Sequence, residues 1–291
     1  MNSKVKADIA LIFVTLTWGI SYLLIQNTIE SIEVFNFLAV RFSIGFILSS
    51  LIFYKKMLKF DWKIIKYGFI VGTTLFLGFA IQTIGLLYTT ISNSAFITGI
   101  AVVLVPVLAV IFFKERMRRE VVFGVILATI GLGFLTLNNV NGLNIGDVLT
   151  LISSIAFAMH IILVGYYTVK TESIQFAIMQ IGTVAGLSWM VSIMFETPSL
   201  NFSGNNWLSM LFLGVFCTSL AFIAQTVAQR HTTSTHTALI YANEPVFAAI
   251  FGYLLVGDIL GARGILGASL ILLGMLVSEL DIRRILKFKG V

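Results

Sequence analysis

Ten apolar stretches of spanning length follow one another along this chain, with only short polar connections between them. No other feature restricts its fold as strongly. They lie near residues 7–27, 34–54, 64–87, 94–113, 121–137, 146–169, 174–195, 207–229, 235–256 and 262–279, with ends set to within a few residues. At about 1.5 Å rise per residue, a helical run of this length crosses a hydrocarbon layer of about 30 Å. Lipid offers no partner to backbone N–H and C=O groups, so a buried segment must satisfy them internally, and the helix does so. The connections are rich in Asn, Gly, Ser, Thr and Lys and leave no room for a soluble domain. The fold class that follows is an all-α polytopic membrane protein of ten transmembrane helices.

Charge supplies the orientation. Hydrophobic residues make up 58% of the sequence and charged residues 11%, which is too apolar for a water-soluble domain. The net charge of +6 does not point to nucleic acid, because the basic residues sit in short segments between apolar runs. With the N-terminus inside, the cytoplasmic segments hold Lys4, Lys6, Lys55, Lys56, Lys59, Lys63, Lys66, Lys114, Arg116, Arg118, Arg119, Lys170, Arg230, Arg283, Arg284, Lys287 and Lys289. Of the 19 Lys and Arg, only Arg263 in an outer loop and Arg41 within the second run fall elsewhere. Both termini are expected in the cytoplasm, and the chain in the plasma membrane. The first run, Ala7 to Ile25, is too long for a signal-peptide core and lacks a small-x-small cleavage site, so it is expected to stay as a helix. Cys217 lies alone in an apolar run, cannot form an intrachain disulfide, and reads as a packing residue.

The chain repeats itself. A shift of 139 carries Asp8 onto Asp147, Phe37 onto Phe176 and Arg41 onto Gln180. A shift of 143 carries Phe79, Gln82, Thr83, Thr89 and Thr90 onto Phe222, Gln225, Thr226, Thr232 and Thr233. The same shift relates Ser94-Ala95-Phe96-Ile97 to Thr237-Ala238-Leu239-Ile240, Glu115 to Asp258, Gly124 to Gly267 and Gly131 to Gly274. This divides the chain into repeats 1–140 and 141–291 of five helices each. An odd number of crossings inserts the second repeat upside down. The charges agree: Lys55 to Lys66 is basic and inside, whereas its counterpart, Glu196 to Asn206, has no Lys or Arg. Two inverted halves can exchange conformations about a midplane site, which points to alternating access.

The candidate site is organised around Thr235 to Val256, an apolar run interrupted by Asn243-Glu244-Pro245. Glu244 falls near mid-depth, where a carboxylate costs several kcal/mol unless it is paired, hydrated or protonated. Pro245 lacks a backbone donor and opens the helix ladder beside it. Functionally, Glu244 binds a substrate amine or takes up a proton as coupling ion; structurally, it bonds a neighbouring helix or pairs with Arg41. Arg41 stands roughly 10 Å from the outer end of its run and Glu244 about 14 Å from the inner end of its own, so their depths permit contact. Arg41 either holds a substrate carboxylate by a bidentate pair, snorkels outward, or ties its helix to a neighbour.

Other polar and aromatic residues extend this set. Trp18 and Tyr22, four apart on one face of the first helix, either stack on a ligand or pack. His160 relays protons, reads a ligand or bonds across helices. Gln82 and Gln225, at equivalent positions, look like paired cavity amides and are expected to face inward together with Asn243 and Glu244; Ser94 and Thr98 join them as weaker candidates. Gly68 with Gly72, and Gly124 with Ala128, form small-residue stripes for internal helix packing. His231 and His236 have no Cys or acid at metal-ligand spacing, so no metal is expected.

Trp18-Gly19 with Tyr22, Arg41, Ser92-Asn93-Ser94-Ala95-Phe96, the Pro106 to Glu115 stretch and Glu244-Pro245-Val246-Phe247 running to Gly257-Asp258 resemble the EamA family of the drug/metabolite transporter superfamily. The resemblance covers residues 7 to 280. It implies two inverted five-helix repeats, a central cavity lined by the first, third, fourth, sixth, eighth and ninth helices, and export of metabolites, often amino acids or related compounds. The family often carries a Lys eight residues after the first-helix Trp; Gln26 stands there, so a cationic site is not carried over. Pro245 falls on Val102 and not on Pro106 under the repeat, so the two broken helices need not be equivalent.

The expected function is secondary active transport of a small-molecule substrate across the lipid bilayer. The rival readings are a passive channel, a non-transporting sensor and an intramembrane enzyme. The enzyme reading lacks its motifs: there is no HExxH or GxSxG, and neither Asp147 nor Asp258 has the Gly three residues earlier that a GxGD site needs. No Gly-rich phosphate loop with Lys is present, so no cofactor is expected and ATP-driven transport by this chain alone is unsupported.

Overall fold

The computed structural model describes residues 3–58, 61–89, 91–114, 117–136, 144–256 and 261–279. Thr90, Glu115, Gly257, Asp258 and the basic residues Lys59, Arg116, Arg283, Arg284, Lys287 and Lys289 lie outside the described residues. Those described form helices and connections, with no strand among them. Six helical stretches are long and apolar enough to cross a membrane: α1 (Ser3–Ile29), α2 (Val34–Ile52), α4 (Trp62–Leu86), α8 (Ile145–Thr168), α9 (Ser173–Phe195) and the continuous stretch Gly204–Gln229. The last is built from α10 (Gly204–Phe212), a π-helical segment (Leu213–Leu220) and α11 (Ala221–Gln229). A one-turn helix, α3 (Tyr54–Met57), follows α2. The remaining apolar helices are shorter or broken: α5 (Ile91–Gly99) with α6 (Ala101–Phe113), α7 (Arg119–Thr136), α12 (Ser234–Tyr241) with α13 (Glu244–Val256), and α14 (Ala262–Glu279).

Polar residues in the connections start these helices by replacing water at their free N–H groups. Asp61 accepts from Lys63 N, Glu172 from Gln175 N, Ser203 from Asn206 N and Thr233 from His236 N. Asn144 and Asp147 form a reciprocal capping box at the start of α8.

The two breaks are equivalent, although the prolines are not. The ladder steps down to an i→i−3 bond at Ile100 N→Ile97 O (3.2 Å) and at Asn243 N→Ile240 O (3.1 Å), positions related by the 143-residue shift. Pro106 sits inside α6 without ending it, whereas Pro245 is the second residue of α13, where its missing donor costs least. The two breaks thus fall at positions 143 residues apart, whatever the placement of the prolines.

Side chains are distributed as a lipid environment requires. Leu51, Phe123, Ile193 and Leu254 are each more than 60% exposed on the outside, while Arg41, Thr150, Gln180 and Gln225 are at most 1% exposed inside. Small residues bring helices together. Gly68 and Gly72 of α4 lie against Met179 and Thr183 of α9, in keeping with internal packing. Between α7 and α14, a Cβ placed on Gly124 would stand 2.6 Å from the Gly274 carbonyl oxygen, and one on Gly131 2.6 Å from that of Gly267. The two glycine positions of one repeat thus meet those of the other crosswise.

Candidate functional site

An internal pocket lies where α1, α4, α5, α8, α11 and α12 converge on the two breaks. Its space free of protein atoms, open end included, is about 810 Å³. The walls come from the first, third, fourth, sixth, eighth and ninth apolar segments, with Arg41 of α2 added. Most of the lining residues are repeat counterparts: Trp18 and Phe157, Ser21 and His160, Phe79 and Phe222, Gln82 and Gln225, Thr98 and Tyr241, Ala101 and Glu244. Ile25, Arg41 and Leu75 line it alone, since Val164, Gln180 and Thr218 do not.

The geometry of each expected site residue can now be stated. Glu244, the first residue of α13, is half-buried and lines the pocket. The Tyr22 hydroxyl lies in the polar cluster formed by Glu244, Gln82 and Thr98, and Gln82 Nε2 donates to Thr98 Oγ1 at 2.8 Å. Trp18 packs on Tyr241 and Phe222, with ring centroids 5.0 and 5.5 Å apart. Its indole N–H donates to the Cys217 carbonyl at 3.0 Å, while Cys217 Sγ donates to Thr17 O at 3.1 Å. These reciprocal bonds tie α1 to the π-helical segment, where wider winding alters which carbonyls are taken up within the helix. His160 lines the pocket and bonds Gln180 Oε1 across to α9 at 2.9 Å.

Arg41 is 1% exposed. Its Nε donates to Thr218 Oγ1 at 3.0 Å, and its guanidinium carbon stands 5.0 Å from the Phe79 ring centre and 5.4 Å from that of Phe42. Among the described residues it has no ion pair, and Nη1 is without a partner. The pairing with Glu244 that their depths permit is therefore not formed. Packing between α2, α4 and the π segment holds the guanidinium against aromatic faces instead.

Two residues expected to face the site do not line it. Asn243 donates to Ile240 O (2.9 Å) and Met275 Sδ (3.2 Å), so its amide serves the break and faces α14. Ser94 is fully buried outside the lining set. Conversely, Tyr241, Phe79, Phe157 and Phe222 wall the pocket without having been singled out. The repeat itself held that signal, since Tyr241 is the counterpart of Thr98, and Phe79 and Phe222 correspond. His236, which has no acid nearby in sequence, meets Asp8 of α1 at 3.0 Å. Among the described residues no three potential metal ligands gather.

An all-helical bundle with an apolar exterior, enclosing a pocket with the acid Glu244 and the bases Arg41 and His160 among aromatic rings and amides, defines a polytopic membrane protein built to take up a small molecule. The model of the EamA-like transporter family matches this chain twice, over residues 5–137 and 144–280. A protein of Archaeoglobus fulgidus named as a transporter is 32% identical over 279 residues, covering 96% of this chain and 87% of its own. The transporter YyaM of Bacillus subtilis is 24% identical over 213 residues, covering 70% and 69%. One solved crystal structure, 18% identical, superposes with a TM-score of 0.80 over 96% of this chain and 98% of its own. The chain belongs to the EamA-like transporter family and is a multi-pass membrane transporter, with a small-molecule substrate and the lipid bilayer as its partners.

Proposed function

We propose that the protein is a secondary active transporter that moves a small metabolite, an amino acid or related amine, outward across the plasma membrane by alternating access. Ten spans in two inverted repeats, 1–140 and 141–291, keep both termini in the cytoplasm. The substrate site is the pocket between the repeats. Glu244 receives the substrate amine or the coupling proton, Arg41 receives an anionic group, and Trp18, Tyr22, Gln82, Thr98, His160 and Gln225 shape and read the remainder. Asn243 supports the second break from behind. The twofold family match and the paired lining residues support the two-repeat reading. Export follows from the family resemblance.

The observation that carries the site is Glu244 itself: the one carboxylate among the lining residues, at a helix break in an apolar bundle. Its repeat counterpart is Ala101, so the scaffold has no need of an acid there. Purified protein melted against amino acids, organic cations and nucleoside-like metabolites at two pH values tests the proposal. A ligand at about 100 times its dissociation constant stabilises the fold by about 2.7 kcal/mol. The expected result is a shift that disappears in Glu244→Gln, together with saturable flux in proteoliposomes that the substitution abolishes. Unchanged flux and pH dependence in Glu244→Gln sink the role of the acid, and non-saturating flux replaces the carrier with a channel.

A further inference from the structure

The 143-residue shift relates two pairs of positions at the pocket wall that are used differently. In the first repeat, Gln82 Nε2 donates to Thr98 Oγ1, and the Tyr22 hydroxyl joins the two. The equivalent pair in the second is Gln225 and Tyr241. There Gln225 Nε2 turns away to Gln229 Oε1 at 3.0 Å, and Gln229 is in turn anchored on the Ile161 carbonyl at 2.9 Å. Gln225 Oε1 and the Tyr241 hydroxyl are both left without a partner, although the two side chains are 1% and 9% exposed and both wall the pocket. The Tyr241 ring is fixed edge-on against Trp18, and the bond from Gln225 to Gln229 holds the amide. Buried polar atoms left open in this way are costly, and these two, unlike Ser94 Oγ or Ser188 Oγ, belong to side chains that wall the pocket, where a ligand can complete them. Ser21, another hydroxyl on the wall, is already satisfied by Trp18 O at 2.7 Å.

We propose that Gln225 and Tyr241 form the specificity-determining end of the substrate site and take a hydroxyl, or an amide group through its C=O and N–H, of the substrate between them. This rests on the pocket being the substrate site. Such a group accepts from the Tyr241 O–H and donates to Gln225 Oε1, where the first repeat has the Gln82 to Thr98 bond. A carboxylate or ether has no donor for Gln225, an ammonium has no acceptor for Tyr241, and an apolar group serves neither. The substrate class is a hydroxylated or amide-bearing amine, with its amine at Glu244 and its hydroxyl or amide at this pair.

Two measurements test the assignment. In substrate-free protein, Tyr241→Phe removes an unpaired hydroxyl and is expected to melt at or above the wild-type temperature; Thr98→Val breaks the bond from Gln82 and is expected to melt below it. A lower melting temperature for Tyr241→Phe gives the hydroxyl a structural role and overturns the proposal. Thermal shift and flux are then compared within matched amines that differ by one hydroxyl, tyramine with phenethylamine and ethanolamine with ethylamine. The wild type is expected to favour the hydroxylated member about tenfold or more, and the ratio is expected to fall toward one in Tyr241→Phe and in Gln225→Met. Equal handling of both members of every pair by the wild type, absence of any response included, overturns the proposal, as it does if a pocket water alone satisfies Tyr241. Failure of the wider site reading shows itself separately, as flux that survives Glu244→Gln.

Discussion

At the scale of single residues, the pocket shows how a membrane interior changes the value of a polar group. Glu244 and Arg41 stand on one wall system without pairing, and each is held by neighbours of another kind: Glu244 beside the Tyr22 hydroxyl, Arg41 by Thr218 and two phenyl faces. A buried pair satisfied by each other would leave little for a ligand, and that pair is not formed. Trp18 carries a structural duty alongside any contact with substrate. Its indole N–H occupies a carbonyl of the π-helical segment, so Trp18→Phe keeps the aromatic packing and loses that bond. The expected cost is about 1–2 kcal/mol, read as a lower melting temperature in detergent. An unchanged melting temperature would mean that the bond contributes nothing to holding α1 on that segment. Glu244, Arg41 and the paired glutamines were legible from the chain because polar groups in apolar runs are few. The contacts that hold Glu244, Arg41 and Gln82 were not, because their partners lie on other helices.

Among the elements, the crossing of α7 and α14 is the contact most dependent on one residue type. A Cβ at position 124 meets the carbonyl oxygen of Gly274 at 2.6 Å, and a backbone atom in a packed helix cannot give way. Gly124→Ala is expected to destabilise the protein by about 1–3 kcal/mol. Gly186→Ala serves as the control, since a Cβ there meets nothing within 4 Å, and its better helix propensity is expected to leave the melting temperature equal or higher. Equal losses in the two variants would deny that the glycine crossing is special. The breaks teach a related lesson. Proline marks the two segments that are broken, yet the break points sit at Ile100 and Asn243. Pro106 lies within α6, so a missing donor alone does not end a helix that neighbouring segments hold in place. Sequence patterns mark such segments as exceptional; packing selects the residue at which they give.

Across the whole molecule, α2 and α9 are joined at both ends by matching contacts through their flanking segments. At one end Glu196 accepts from Phe35 N (2.8 Å) and Asn36 N (2.7 Å) at the start of α2, while Asn36 Nδ2 donates to Ser199 O at 3.0 Å. At the other end Gln175, the counterpart of Asn36, donates to Lys56 O, and Glu172, the counterpart of Glu33, pairs with Lys56. α2 and α9 are thus latched at both ends. Ile25 lines the pocket and its counterpart Val164 does not, so an exchange of the two repeats would swap their exposure. In a Cys217→Ala background, a cysteine at position 25 is expected to react with an impermeant maleimide from outside and one at 164 from inside, with substrate gradients shifting the two in opposite senses. Parallel changes at both sites would contradict alternating access by repeat exchange. Hydropathy by itself determined the apolar segments and the acid at the centre of the ninth segment, because the cost of polar groups in lipid is written locally into each run, while the family was legible only through its resemblance in short motifs. Only the tertiary structure decided that Arg41 and Glu244 stay apart, that Asn243 turns from the pocket and that Tyr241 enters its wall. Those outcomes depend on which faces of helices far apart in sequence meet, and no single segment contains that information.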